Sequence, residues 1–77
     1  MKEVIIYRGT EIEFKEKSQG LIAGYLKVNG VHAGFHVNDH IKVAGKKFRE
    51  VVREFVEDGH LKRELKMIDK VLKEEVF

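Results

Sequence analysis

Apolar and polar residues alternate along the first half of the chain and then change period. Leu21 to Val37 reads LIAGYLKV-NG-VHAGFHV, two alternating runs on either side of Asn29-Gly30. Asn-Gly supplies the two residues with positive φ that a type I′ turn needs, and the twist of that turn matches the strands it joins. The pair predicts a hairpin of Leu21–Val28 with Val31–Val37. Upstream, Glu11 to Lys17 (EIEFKEK) alternates with period two, the mark of a half-buried strand. Glu3 to Arg8 (EVIIYR) reads as a further strand. Gly9-Thr10 between these runs suits a type II′ turn, and Ser18-Gln19-Gly20 suits a bulged three-residue loop with Gly20 in the left-handed position.

The turns fix which residues are neighbours. Val28 faces Val31, Leu26 faces Ala33, Gly24 faces Phe35 and Ile22 faces Val37. Ile12 faces Leu26 and Phe14 faces Gly24, while Tyr7 faces Ile12 and Ile5 faces Phe14. All of these residues fall on one side of a four-stranded antiparallel meander. A one-residue slip at any turn would invert a strand, so the agreement of three turns on one apolar face is the strongest sign of the fold. Gly24 sits between Phe14 and Phe35, where two rings leave no room for a third side chain.

Beyond the sheet the period lengthens. Asn38-Asp39 offers a helix cap. Ile41, Ala44, Phe48, Val51, Val52, Phe55 and Val56 are then spaced by threes and fours, which predicts an amphipathic helix. Gly45 lies inside it at a propensity cost of about 1 kcal/mol, and Gly59 is a plausible stop. A second helix is expected from Leu61 to Glu75. Leu61, Leu65, Ile68 and Leu72 form its apolar seam, with Met67 and Val71 on one flank. Sheet strands lie about 4.8 Å apart and helices pack about 10 Å apart, so two helices fit side by side. The expected fold is α+β: a two-layer sandwich in which a β-meander is followed by two helices packed on one face (β-β-β-β-α-α). The second seam steps four, three, four, as in a coiled coil, and also suits a partner interface together with the apolar Val76 and Phe77.

Length and composition narrow the class. Seventy-seven residues make a single domain spanning 1–77 with a modest core. Charged residues are 36% of the chain, mostly Lys and Glu, and Cys is absent. This resembles the composition of thermophile proteins. It excludes disulfides and thiolate metal sites. No run approaches the roughly 20 apolar residues of a membrane span, and no signal-peptide pattern is present, so a cytoplasmic protein with no membrane contact is expected. The net charge of +2 is too small to imply a polyanionic partner by itself.

Candidate chemistry therefore rests on charge placement. Lys42, Lys46, Arg49 and Arg53 are spaced four, three, four and form one stripe on the expected first helix, a ridge suited to phosphate contacts. Glu50, Glu54 and Glu57 lie beside them, with Lys46–Glu50 and Arg53–Glu57 as i,i+4 pairs. On the open sheet face the expected rows are Arg8–Glu11–Lys27–His32, Ile6–Glu13–Tyr25–Gly34 and Val4–Lys15–Ala23–His36. Tyr25 and Lys27 there have the chemistry of single-strand nucleic-acid binders, although acids interleave with the bases. His32, His36 and His40 are spaced four and four, but on a strand such residues are about 13 Å apart and cannot share a metal. No metal or small-molecule cofactor is expected. A pair such as His32 with Glu11 or Glu13 on the sheet face has the chemistry of an acid and a base, and no nucleotide or metalloenzyme motif accompanies it.

The expectation is a small non-enzymatic binding module. It acts either on nucleic acid, through Lys42, Lys46, Arg49 and Arg53 with Lys27 and Tyr25, or on protein. The protein partner is a second copy or another chain, met through Leu61, Leu65, Ile68, Leu72, Val76 and Phe77.

Overall fold

In the computed structural model, which describes residues 1–18 and 20–74, the alternating half of the chain is a four-stranded antiparallel sheet in chain order. Its strands are β1 (Lys2–Tyr7), β2 (Thr10–Ser18), β3 (Leu21–Val28) and β4 (Val31–His36). A 3₁₀ turn (Val37–Asp39) leads out of the sheet, and helices α1 (Phe48–Glu57) and α2 (His60–Glu74) follow. Both helices contribute to one core on one sheet face. The β-β-β-β-α-α sandwich anticipated from the pattern is the fold.

Two of the three registers match the sequence reading. Ile12 pairs with Leu26 and Phe14 with Gly24. Gly24 pairs with Phe35, Leu26 with Ala33 and Val28 with Val31. A bulge between Glu16 and Ser18 absorbs the second connection. The first hairpin differs. Its turn residues are Arg8 (φ 50°) and Gly9 (φ 82°), a type I′ turn in place of the expected type II′ turn at Gly9-Thr10. Tyr7 therefore pairs with Thr10, Ile5 with Ile12 and Glu3 with Phe14. The slide is by two residues, and a slide by two keeps every side chain on its own face. The core is unchanged, but Arg8 leaves the sheet and its guanidinium lies 5.5 Å from the Tyr7 ring centroid.

The last pair expected across the Asn-Gly hairpin, Ile22 with Val37, does not form. Val37 enters the 3₁₀ turn instead and is fully buried. Asn38 holds that turn against the sheet. Its Oδ1 accepts from the Ile22 N–H at 2.9 Å and its Nδ2 donates to the Gly20 carbonyl at 2.6 Å.

The first helix starts at Phe48, not near Ile41. Gly45 takes φ +80°, which a helix does not contain, and a turn closes from the Lys46 N–H to the Val43 carbonyl at 3.0 Å. The 41–47 segment inserts Val43 into the core while Ala44 is exposed. The apparent helical spacing of Ile41 and Ala44 with Phe48 is thus coincidental.

Three rings join the layers. Phe35 of β4 stacks on Phe55 of α1 at 5.2 Å and 7°, and Phe14 of β2 meets each edge-on at 5.9 and 6.0 Å. Ile12, Ile22, Val51 and Leu61 complete the fully covered interior around them.

Candidate functional site

The basic stripe does not exist as a ridge. Lys42 lies in the irregular 41–47 segment, as does Lys46. The Lys46 ammonium is held by both carboxylate oxygens of Glu54, at 3.0 and 2.8 Å, so it pairs across a turn to α1 and not with Glu50. Arg49 and Arg53 remain one turn apart on α1, exposed and without an ion pair among the described residues. Arg53 does not pair with Glu57. These two arginines line an open groove of about 440 Å³ between α1 and β1, with Ile5, Val52 and Val56 also in its walls.

The open sheet face follows the corrected first register. Ile6 now lies opposite Glu11, Val4 opposite Glu13 and Lys2 opposite Lys15. Glu13 draws on both flanking ammonium groups, Lys15 at 3.0 Å and Lys2 at 3.3 Å. Hydrogen bonding from Lys15 lowers its carboxyl below the ordinary value of 4.5, helped by Lys2 and opposed by partial desolvation. Tyr25 is half-buried beneath the same Lys15 and beneath Lys17, whose ammonium groups lie 5.9 and 5.3 Å from its ring centroid. Its face is already covered by cation–π contacts. Lys27 is exposed and faces His32, which puts a cation between His32 and Glu11. Tyr25 and Lys27 thus lie on the opposite side of the sheet from Arg49 and Arg53.

The histidines divide. His32 and His36 stay on β4, while His40 turns back under the helices. Its Nε2 meets the Glu64 carboxylate at 2.5 Å, and its ring lies 5.4 Å from His60 and 5.6 Å from Phe55. His60 and Glu64 are one turn apart on α2, a spacing visible in the sequence, whereas their approach to His40 is not. The pair fastens the chain after the sheet to α2. No group of three His, Asp or Glu residues converges on a metal position among the described residues.

The seam of α2 is covered unevenly. Leu61 is fully buried, Leu65 and Ile68 are partly covered by the core, and Leu72 is half-buried beside Val28 and Val31 of the hairpin. Met67 is 60% exposed, Val71 50% and Val31 48%. Val76 and Phe77, which the sequence assigns to the same interface, lie outside the described residues. Among the described residues no helix is long and apolar enough to cross a membrane. Neither a protein-family model, nor a curated protein, nor a solved structure matches this chain.

Proposed function

We propose that this chain is a small non-enzymatic binding module that works through protein contacts, and that α2 joins it to a second copy of itself. One observation carries this reading: Met67 and Val71 are exposed on one flank of α2 while its seam is only partly covered, and Val31 is exposed next to Leu72. Exposed apolar surface grouped on one side is the usual mark of a protein-binding site.

The neighbouring sheet edge favours a second copy as the occupant. Val28 and Val31 flank a two-residue turn, so Val31, Ala33 and Phe35 bond inward to β3. The backbone groups of His32, Gly34 and His36 then point outward. Strand β4 reads VHAGFH and carries no Lys, acid or Pro, the residues that usually guard an edge. The flank of α2 that sets Glu64 against His40, just after β4, carries Val71 two turns later. A two-fold axis beside β4 pairs this strand antiparallel with its copy and brings the two α2 flanks together, an isologous contact.

The nucleic-acid reading has weaker support. Its four-residue ridge is divided between a loop and a helix, and Lys46 is neutralised by Glu54.

Sedimentation equilibrium tests the proposal. The wild-type chain is expected to dimerise with concentration, and Met67→Glu with Val71→Glu to leave a folded monomer. A wild-type chain that stays monomeric up to about 1 mM, where even a contact of roughly 4 kcal/mol would be half populated, overturns it.

A further inference from the structure

We propose that the β1 edge and the adjoining flank of α1 form an acceptor groove for an extended acidic segment of a partner protein, which adds to the sheet as a fifth strand. This surface lies at the opposite edge from the self-contact above and shares with it only the premise that the module binds protein.

The edge is open and points the right way. Tyr7 and Thr10 flank the Arg8-Gly9 turn as a pair, so Glu3, Ile5 and Tyr7 bond inward to β2. The backbone N–H and C=O groups of Val4 and Ile6 face outward. Among the described residues no other strand takes them up, because β1 ends the sheet. The side chains of these same two residues are 44% and 77% exposed on the outer face. An edge with free backbone groups and apolar side chains is a template for an added strand.

The charge above the edge selects the segment. On the helix-facing side an added strand meets the outer flank of α1, where Val56, Arg49 and Arg53 line the groove. Glu3 and Glu57 line it too, yet neither forms an ion pair with either guanidinium. Arg49 and Arg53, which have no ion pair among the described residues, stand in this groove beside Ile5, Val52 and Val56, and that combination suits carboxylates with aliphatic stems. The spacing agrees: Arg49 and Arg53 are four residues apart on a helix, about 6 Å along the axis. Alternate residues of a strand are about 6.7 Å apart. Glutamates at every second position therefore match both arginines at once. The intervening residues turn to the outer face, where valine or isoleucine packs across from Val4 and Ile6. The segment recognised is an extended run in which β-branched and acidic residues alternate.

Fluorescence anisotropy with a labelled acetyl-Thr-Val-Glu-Val-Glu-Val-Thr-amide peptide tests this on the full chain, with amide chemical shifts to locate the contact. The expected result is saturable binding that shifts β1 and α1 amides. Arg49→Glu with Arg53→Glu is expected to weaken it at least about tenfold, since each lost charge-assisted bond costs more than one such factor. N-methylation of alternate peptide amides, tried in both phases, should abolish binding in the one phase that faces β1. The Met67→Glu, Val71→Glu chain should bind the peptide as the wild type does, so failure of the self-contact does not count against the groove. Equal binding of a peptide with Lys in place of Glu overturns the proposal, as do shifts confined to β4 and α2. It is also overturned if the arginine substitutions change the sedimentation of the chain and not its peptide affinity, which would make the groove a contact between copies.

Discussion

The ring of Phe35 occupies the space above Gly24, so that a methyl group on Gly24 would overlap three of its carbons. The same ring stacks on Phe55. The missing side chain in β3 thus sets the depth at which β4 meets α1. Gly24→Ala is expected to destabilise the fold by about 1–3 kcal/mol, the usual cost of overpacking. Adding Phe35→Leu should return part of that loss, because the two sites couple directly. Urea denaturation of the two single variants and the double variant measures the coupling, and strict additivity would contradict the packing account.

A second expectation concerns Asn38, whose side chain ties the Ile22 N–H of β3 to the Gly20 carbonyl in the connection just before that strand. Asn38→Ala leaves the N–H of the buried Ile22 without an acceptor, at a cost of about 1–3 kcal/mol. Hydrogen exchange provides a local readout: the Ile22 amide should lose protection by more than the global change in stability explains. Equal loss at every core amide would mean that Asn38 does not hold this position.

The sheet was readable for a specific reason. Period-two alternation and the Asn29-Gly30 turn constrain each other, and the face assignment survives even a two-residue slide at the first hairpin. That slide was not readable, because Arg8-Gly9 and Gly9-Thr10 both satisfy a two-residue turn, and nothing local decides between φ 50° at Arg8 and a mirror turn at Gly9. The start of α1 is not legible in the sequence, because Ile41, Ala44 and Phe48 mimic helical spacing. The β-branched Val43 next to Ala44-Gly45 was the signal against it. The basic stripe turns on this point, since Lys42 and Lys46 precede a helix that begins at Phe48. The exposure of Ile6 and the flank position of Met67 and Val71 were readable from the pattern. The pairing of His40 with Glu64 was not, because it depends on where an irregular segment turns.

Gly45 itself gives a third test. It has open space around the position of a β-carbon but a φ of +80°. Gly45→Ala is expected to cost about 1–2 kcal/mol through backbone strain alone, and Gly45→Asn less, since Asn tolerates this region better. Thermal unfolding separates the two. A neutral Gly45→Ala would mean that the turn before α1 readily adopts another form.

The fourth expectation is a pH dependence. Because the Glu13 carboxyl is lowered in the fold, its contribution is full above the ordinary carboxyl value near 4.5 and fades as acid protonates the folded group. Wild type should exceed Glu13→Gln in stability at neutral pH, with the gap closing as pH falls below that value. Lys15→Gln should move the Glu13 titration upward in a carbon-detected NMR experiment. A titration unmoved by that change would remove Lys15 as the main cause.

The chain-order sheet has a consequence for how the molecule comes into being. Each strand bonds to the strand just before it, so on a ribosome the whole sheet is available while α1 and α2 are still being made. Short-range pairings of this kind close early, because little loop entropy opposes them. The apolar face bearing Phe14 and Phe35 then waits in water for Phe55 to arrive. Synthesis that stalls before Phe48 would leave a formed but uncovered sheet, the state of this chain most in need of a chaperone.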